Sequence, residues 1–169
     1  MSKLHVKQIE GYLTSKLKGV IEMDDYAGHS DKGQIQKAFL TRGLAALAVS
    51  QLAEVPLEEF GPNITDGPKD GGIDLIYFEP KERMLYLVQS KWHDDGHGSM
   101  ELGEVLKFIE GVRKVLDNDL DQLNERVKAR RAEIERAVFD ANAKFVLVLA
   151  YTGQEALSAE VSTAISGYV

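Results

Sequence analysis

GGIDLIYFEPKERMLYLVQSK, residues 71–91, holds two apolar runs separated by a polar connection that contains a proline. The runs 73–78 (IDLIYF) and 84–91 (MLYLVQSK) are aliphatic and aromatic, the composition of strands, and Glu79-Pro80-Lys81-Glu82-Arg83 is the punctuation of a hairpin. A turn symmetric about Lys81 and Glu82 makes paired residue numbers sum to 163, which sets Asp74 opposite Gln89. Side chains alternate faces along a strand, so Gln89 and Lys91 project together and Asp74 joins them across the pair. A carboxylate, an amide and an ammonium then converge within reach of one ion or one phosphate. A slip of one position would send a side chain to the other face.

Thr65-Asp66-Gly67-Pro68-Lys69-Asp70-Gly71-Gly72 leads into Asp74 as a loop of little bulk. Its glycines allow close approach of another backbone or of a nucleic-acid strand. Taken singly, Asp74 after Gly-Gly reads as a turn residue, Gln89 as an edge amide and Lys91 as a solvated strand end. The combination is what suggests a site.

GGID, a short hairpin and QSKW together resemble the core of the PD-(D/E)xK phosphodiesterase superfamily, in the Mrr-like branch where glutamine often replaces the second acid. More closely, ITDGPKDGGIDLIYFEPKERMLYLVQSKW (64–92) followed by MELGEVLKFIEGVRKVL (100–116) is similar to the amino-terminal region of abortive-infection phage-resistance (AIPR) proteins. The resemblance implies an α/β fold with a restriction-endonuclease-like core, a mixed β-sheet flanked by helices. It also implies Mg²⁺- or Mn²⁺-dependent hydrolysis of nucleic-acid phosphodiesters, DNA ranked before RNA, in antiviral defence. Carried over by position, Asp74 binds the metal, Gln89 takes the second ligand position, the Ser90 carbonyl supplies a backbone oxygen, and Lys91 is the lysine of the motif. Mg²⁺ keeps several waters and needs only one or two protein carboxylates beside a phosphate, so a set this sparse can hold it. Such an ion lowers the pKa of a bound water and neutralises charge on the phosphate oxygens.

Gln89 leaves the set one formal charge short, and the first core helix, expected over 34–53 with Ile35, Phe39, Leu44, Leu47, Ala48 and Leu52 inward, has no acid before Glu54. A further ligand is therefore sought in Asp70 and Asp66 first, then in Glu22, Asp24, Asp25 or Asp31. In the polar segment 92–99, His93 and His97 lack the spacing of strong zinc motifs, and Trp92 reads as a packing residue.

The chain has 169 residues, no cysteine, 44% hydrophobic and 28% charged residues, which suits one nuclease-like domain over 1–169, an amino-terminal domain of a longer protein being the alternative. No run approaches a membrane span and thiolate chemistry is excluded, so a cytoplasmic location without membrane partners is expected. The net charge of −7 opposes general affinity for nucleic acid. Lys3, Lys7, Lys16 and Lys18 form one local basic group; Arg126, Lys128, Arg130, Arg131 and Arg136 form another, which its interspersed glutamates make an ion-paired helix.

Elsewhere the periodicity predicts helices over 4–20, interrupted at Gly11 and Gly19, over 101–116 with Leu102, Val105, Leu106, Ile109 and Val112 inward, over 120–142 as one long charged helix, and over 155–166. A short strand is expected near 60–65, and KFVLVLAY, 144–151, reads as a buried strand. Two other readings stand beside the nuclease: an inactive module on the same fold that binds nucleic acid or a protein partner, and a homodimer assembled through the 120–142 helix.

Overall fold

A computed structural model describes residues 1–168. Two strands, β1 (Leu75–Glu79) and β2 (Met84–Lys91), form the expected hairpin, with the register Leu75 to Val88 through Glu79 to Met84, each pair summing to 163. The parallel partner β3 (Lys144–Tyr151) lies against the other edge of β2, giving the order β1-β2-β3 and a mixed sheet.

Helices cover both faces. On one side lie α1 (Lys3–Leu17) and α2 (Lys32–Ala53), against Leu75, Tyr86 and Val88. On the other lie α3 (Leu102–Leu116), the short α4 (Glu125–Lys128) and α5 (Arg131–Val138), around Ile76, Phe78, Leu85 and Leu87. The closing helix α6 (Ala159–Ser166) packs on α3. The hairpin thus divides its side chains strictly by alternation, and each fully buried aliphatic contributes about 1.5–3 kcal/mol. No single helix is long and apolar enough to cross a membrane.

Several expectations are corrected. The 120–142 stretch is not one long helix, because Asn124 caps a new start by accepting from the Val127 N–H at 2.9 Å and the chain turns again between α4 and α5. The long helical surface invoked for a homodimer therefore does not exist. The expected strand near 60–65 is a 3₁₀ turn, Leu57–Asn63, followed by one bridge from Ile64 to Leu75. Gly11 does not interrupt α1, whereas Gly19, at φ +81°, lies beyond its end.

Of the expected inward stripe of α2, Leu44 is buried and Phe39 and Leu47 pack against the core, but Leu52 is 54% exposed, and Leu40, Ala45, Ala46 and Val49 are buried as well. This helix is apolar on nearly every side, so periodicity cannot select a face. On α3, Leu106 faces out and Phe108 and Val115 face in. β3 is half-buried instead of enclosed, since it forms an edge of the sheet.

Candidate functional site

At the end of the hairpin the ladder departs from its register. The Asp74 N–H donates to the Val88 carbonyl at 2.7 Å, where the expected pairing would have used Gln89. Asp74 and Leu75 thus both oppose Val88, a bulge, and bulges redirect side chains. The Asp74 carboxylate is turned toward Ser90: Oδ2 accepts from the Ser90 N–H at 2.6 Å and lies 2.9 Å from Ser90 Oγ. Ser90 Oγ is also 2.9 Å from the Thr41 carbonyl of α2. One hydroxyl proton serves one of these two acceptors, and a protonated Asp74 would supply the other.

Gln89 and Lys91 take the opposite face, toward α3. Gln89 Nε2 donates to the Glu104 carbonyl at 3.0 Å, which fixes the amide orientation, and Gln89 Oε1 is buried without a hydrogen-bond partner. Lys91 Nζ pairs with Glu104 Oε1 and lies 3.7 Å from Glu101. The expected triad is therefore split between two partners. It nevertheless lines one cleft of about 290 Å³, together with Lys37 and Thr41 of α2, Asp66 and Asp70 of the loop, and Glu104 and Lys107 of α3.

The approach loop brings two further carboxylates to Asp74. One oxygen from each of Asp66, Asp70 and Asp74 lies within 4.8 Å of the others. Asp66 is paired with Arg42 Nε at 2.7 Å and Asp70 with Lys107 Nζ at 2.7 Å. Asp74 has no cationic partner among the described residues, and burial, followed by the charge of Asp66, drives its carboxyl well above the ordinary carboxylate range against the opposing Ser90 hydrogen bonds. The three converging carboxylates are hard oxygen donors of the kind that Mg²⁺ or Mn²⁺ takes, so the residues fit such an ion.

The loop is held by Asp70, whose carboxylate accepts from the Gly72 N–H at 2.7 Å and the Gly67 N–H at 3.2 Å. Asn124 pins both its ends, donating from Nδ2 to the Thr65 carbonyl at 2.9 Å and from its backbone N–H to the Lys69 carbonyl at 2.9 Å. A Cβ on Gly72, at φ +76°, would stand 2.9 Å from the Phe108 nitrogen. The glycines therefore admit the α3 backbone.

Of the remaining candidates, Asp25 receives two hydrogen bonds from Arg42 and one from Arg126, Glu22 lies 3.5 Å from Arg126, and Asp31 caps α2. Asp24 heads the short 3₁₀ turn Asp24–Tyr26 and is exposed. His93 and His97 are absent from the cleft lining, and Trp92 is buried in the α1–α2 core. The arginine group behaves as an ion-paired surface, with Lys128 on Glu125, Arg130 on Glu133 and Arg131 on Glu135. Arg126 alone reaches across to the Asp66 carbonyl, at 2.7 Å.

Two site residues escaped the sequence reading. Arg42 is fully buried in α2, where the pattern suggested only apolar contacts. Glu104 carried a signal, since an acid three positions after Glu101 is a capping arrangement: the Glu101 N–H donates to Glu104 Oε2 at 3.2 Å, leaving Oε1 for Lys91. Compared with known protein families, curated proteins and solved structures, the chain matches none.

Proposed function

We propose that this chain is a metal-dependent nuclease domain of the restriction-endonuclease-like kind, related to the PD-(D/E)xK and AIPR proteins that residues 64–116 resemble, and that it acts on foreign nucleic acid. The observation that carries the reading is the gathering of Asp66, Asp70 and Asp74 within 4.8 Å, in the same cleft as Gln89 and Lys91.

Asp74, supported by Asp70, would hold one Mg²⁺ or Mn²⁺, with the Gln89 Oε1 and the Ser90 carbonyl as further oxygens. When bound, the ion would supply an acidified water and a counter-charge for the phosphate. The chain's own residues do the remainder. Glu104 holds the Lys91 ammonium at the cleft, where it can orient the nucleophile or meet charge building on the phosphate oxygens. Lys107 stands on the loop side, paired to Asp70, and Gly71-Gly72 keep side-chain bulk away from the α3 backbone beneath.

Incubation with plasmid and with single-stranded substrates, in Mg²⁺ or Mn²⁺ and then with chelator, tests the reading. Metal-dependent cutting that is lost in Asp74→Ala and Lys91→Ala supports it; equal cutting by these variants overturns it. A second reading, a non-catalytic module for nucleic acid or a protein partner, draws on the neutral Gln89 and the net charge of −7. Salt-dependent binding without turnover would favour that one.

A further inference from the structure

A second cavity, of about 340 Å³, opens between the 3₁₀ turn Asp24–Tyr26 and the start of α2, and shares Lys37, Thr41 and Asp66 with the acidic cleft. The two are adjacent stations along one side of α2. Lys37 lies where they meet, is exposed, and has no carboxylate within ion-pair distance among the described residues. Lys91 and Lys107, the other cations of the cleft, are both paired.

The far wall is aromatic. Tyr26 and His29 lie with ring centroids 5.0 Å apart at 51°, brought together by a turn in which the His29 N–H donates to the Tyr26 carbonyl at 3.0 Å and Gly28 adopts φ +94°. The buried Arg42 sits 5.3 Å from the Tyr26 ring centroid. That cation is satisfied by Asp25 and Asp66, so it fixes the ring and also occupies the Asp66 carboxylate, the acid that lines the cavity beside Lys37.

A free ammonium next to the exposed His29 ring and the half-buried Tyr26 ring, one cavity away from a candidate phosphate-cleaving centre, matches the recurring chemistry of a nucleotide: phosphate to the cation, base to the aromatic wall. We propose that this cavity is a subsite for an unpaired nucleotide adjoining the scissile phosphate, with Lys37 contacting its phosphate and Tyr26 and His29 stacking its base. The inference rests on the nuclease reading and narrows it to substrates that present single-stranded nucleic acid beside the cut. A base inside a duplex is already stacked on both faces and has no ring face to offer.

Binding of labelled single-stranded oligonucleotides, deoxyribo and ribo, and of a blunt duplex, measured by fluorescence anisotropy in Ca²⁺ over a salt series, tests it. Lys37→Ala should lower the salt slope of single-strand binding by about 0.7, one phosphate contact, with Lys37→Arg restoring it. Tyr26→Ala should weaken single-strand binding by about 5- to 150-fold, the range of one base–aromatic stack, while Tyr26→Trp retains it and duplex binding is unmoved. Single-strand affinity and salt slope unchanged in both alanine variants would overturn the subsite, as would a wild-type chain that binds no oligonucleotide. If the chain binds single strands through Lys37 and Tyr26 yet never cuts, the subsite stands and the catalytic reading falls.

Discussion

Gly111 of α3 packs so tightly against the Gly71 carbonyl that a Cβ built on Gly111 would stand 2.1 Å from the Gly71 oxygen. The loop that carries Asp70 and leads to Asp74 therefore rests directly on helix backbone, and its position is set by the absence of a side chain on each partner.

Gly111→Ala should accordingly push the loop off the helix. The cost of overpacking is typically about 1–3 kcal/mol, and the backbone oxygen here has little freedom to yield. Urea unfolding should read a loss in that range, and any metal-dependent activity should fall with it, since Asp70 and Asp74 are displaced together. A variant as stable and as active as wild type would contradict the contact.

Arg42 supports the same loop from the other side. It is fully buried, donates to Asp25 at 2.5 and 3.0 Å and to Asp66 at 2.7 Å, and reaches the Glu22 carbonyl at 2.8 Å. Arg42→Met should cost about 3 kcal/mol in chemical denaturation, because Asp66 loses its cation and Asp25 keeps only Arg126. Arg42→Lys should recover only part of this, as an ammonium cannot reproduce a fork that serves both acids.

Glu104 divides its carboxylate between helix and site: Oε2 accepts from the Glu101 N–H and Oε1 from Lys91. Glu104→Gln keeps an amide oxygen for the helix start but removes the charge that holds Lys91. Stability should move by no more than about 1 kcal/mol, whereas turnover should drop by about 10- to 100-fold, the usual effect of losing a residue that orients an active group. Equal loss of both would assign Glu104 to the fold alone.

The hairpin was legible because alternation, turn residues and a two-residue period all agreed over 73–91, and β3 was bounded correctly by its apolar run. What failed were features that local pattern does not encode. The bulge at Asp74 depends on how Ile64–Thr65 meets the start of β1, a contact between separated segments. The inward face of α2 was only partly legible because that helix is apolar nearly all round, and nothing in its pattern marked Arg42 as buried. The break in 120–142 was hidden by good helix formers on both sides, although Asn124 held the cap signal. Asp66 and Asp70 could be ranked by tethering alone, since they precede Asp74 by eight and four residues in a loop that must fold back.

The raised Asp74 carboxyl links stability to pH with a definite sign. In the folded chain it keeps a proton that the unfolded chain releases in the ordinary carboxylate range, so its contribution favours the folded state at low pH and is lost as pH rises through its folded value. A divalent ion competes with that proton, so the stabilisation it confers should grow over the same rising window. Asp74→Asn retains an oxygen for the Ser90 N–H but has no proton to lose and no charge to offer a metal. In chelator at about pH 8 it should melt above wild type, its melting temperature should vary less with pH, and Mg²⁺ or Mn²⁺ should shift it little. Thermal melts of both proteins across pH, with chelator and with each metal, would check this; a variant that melts below wild type in chelator and still gains from metal would place the ion on other residues.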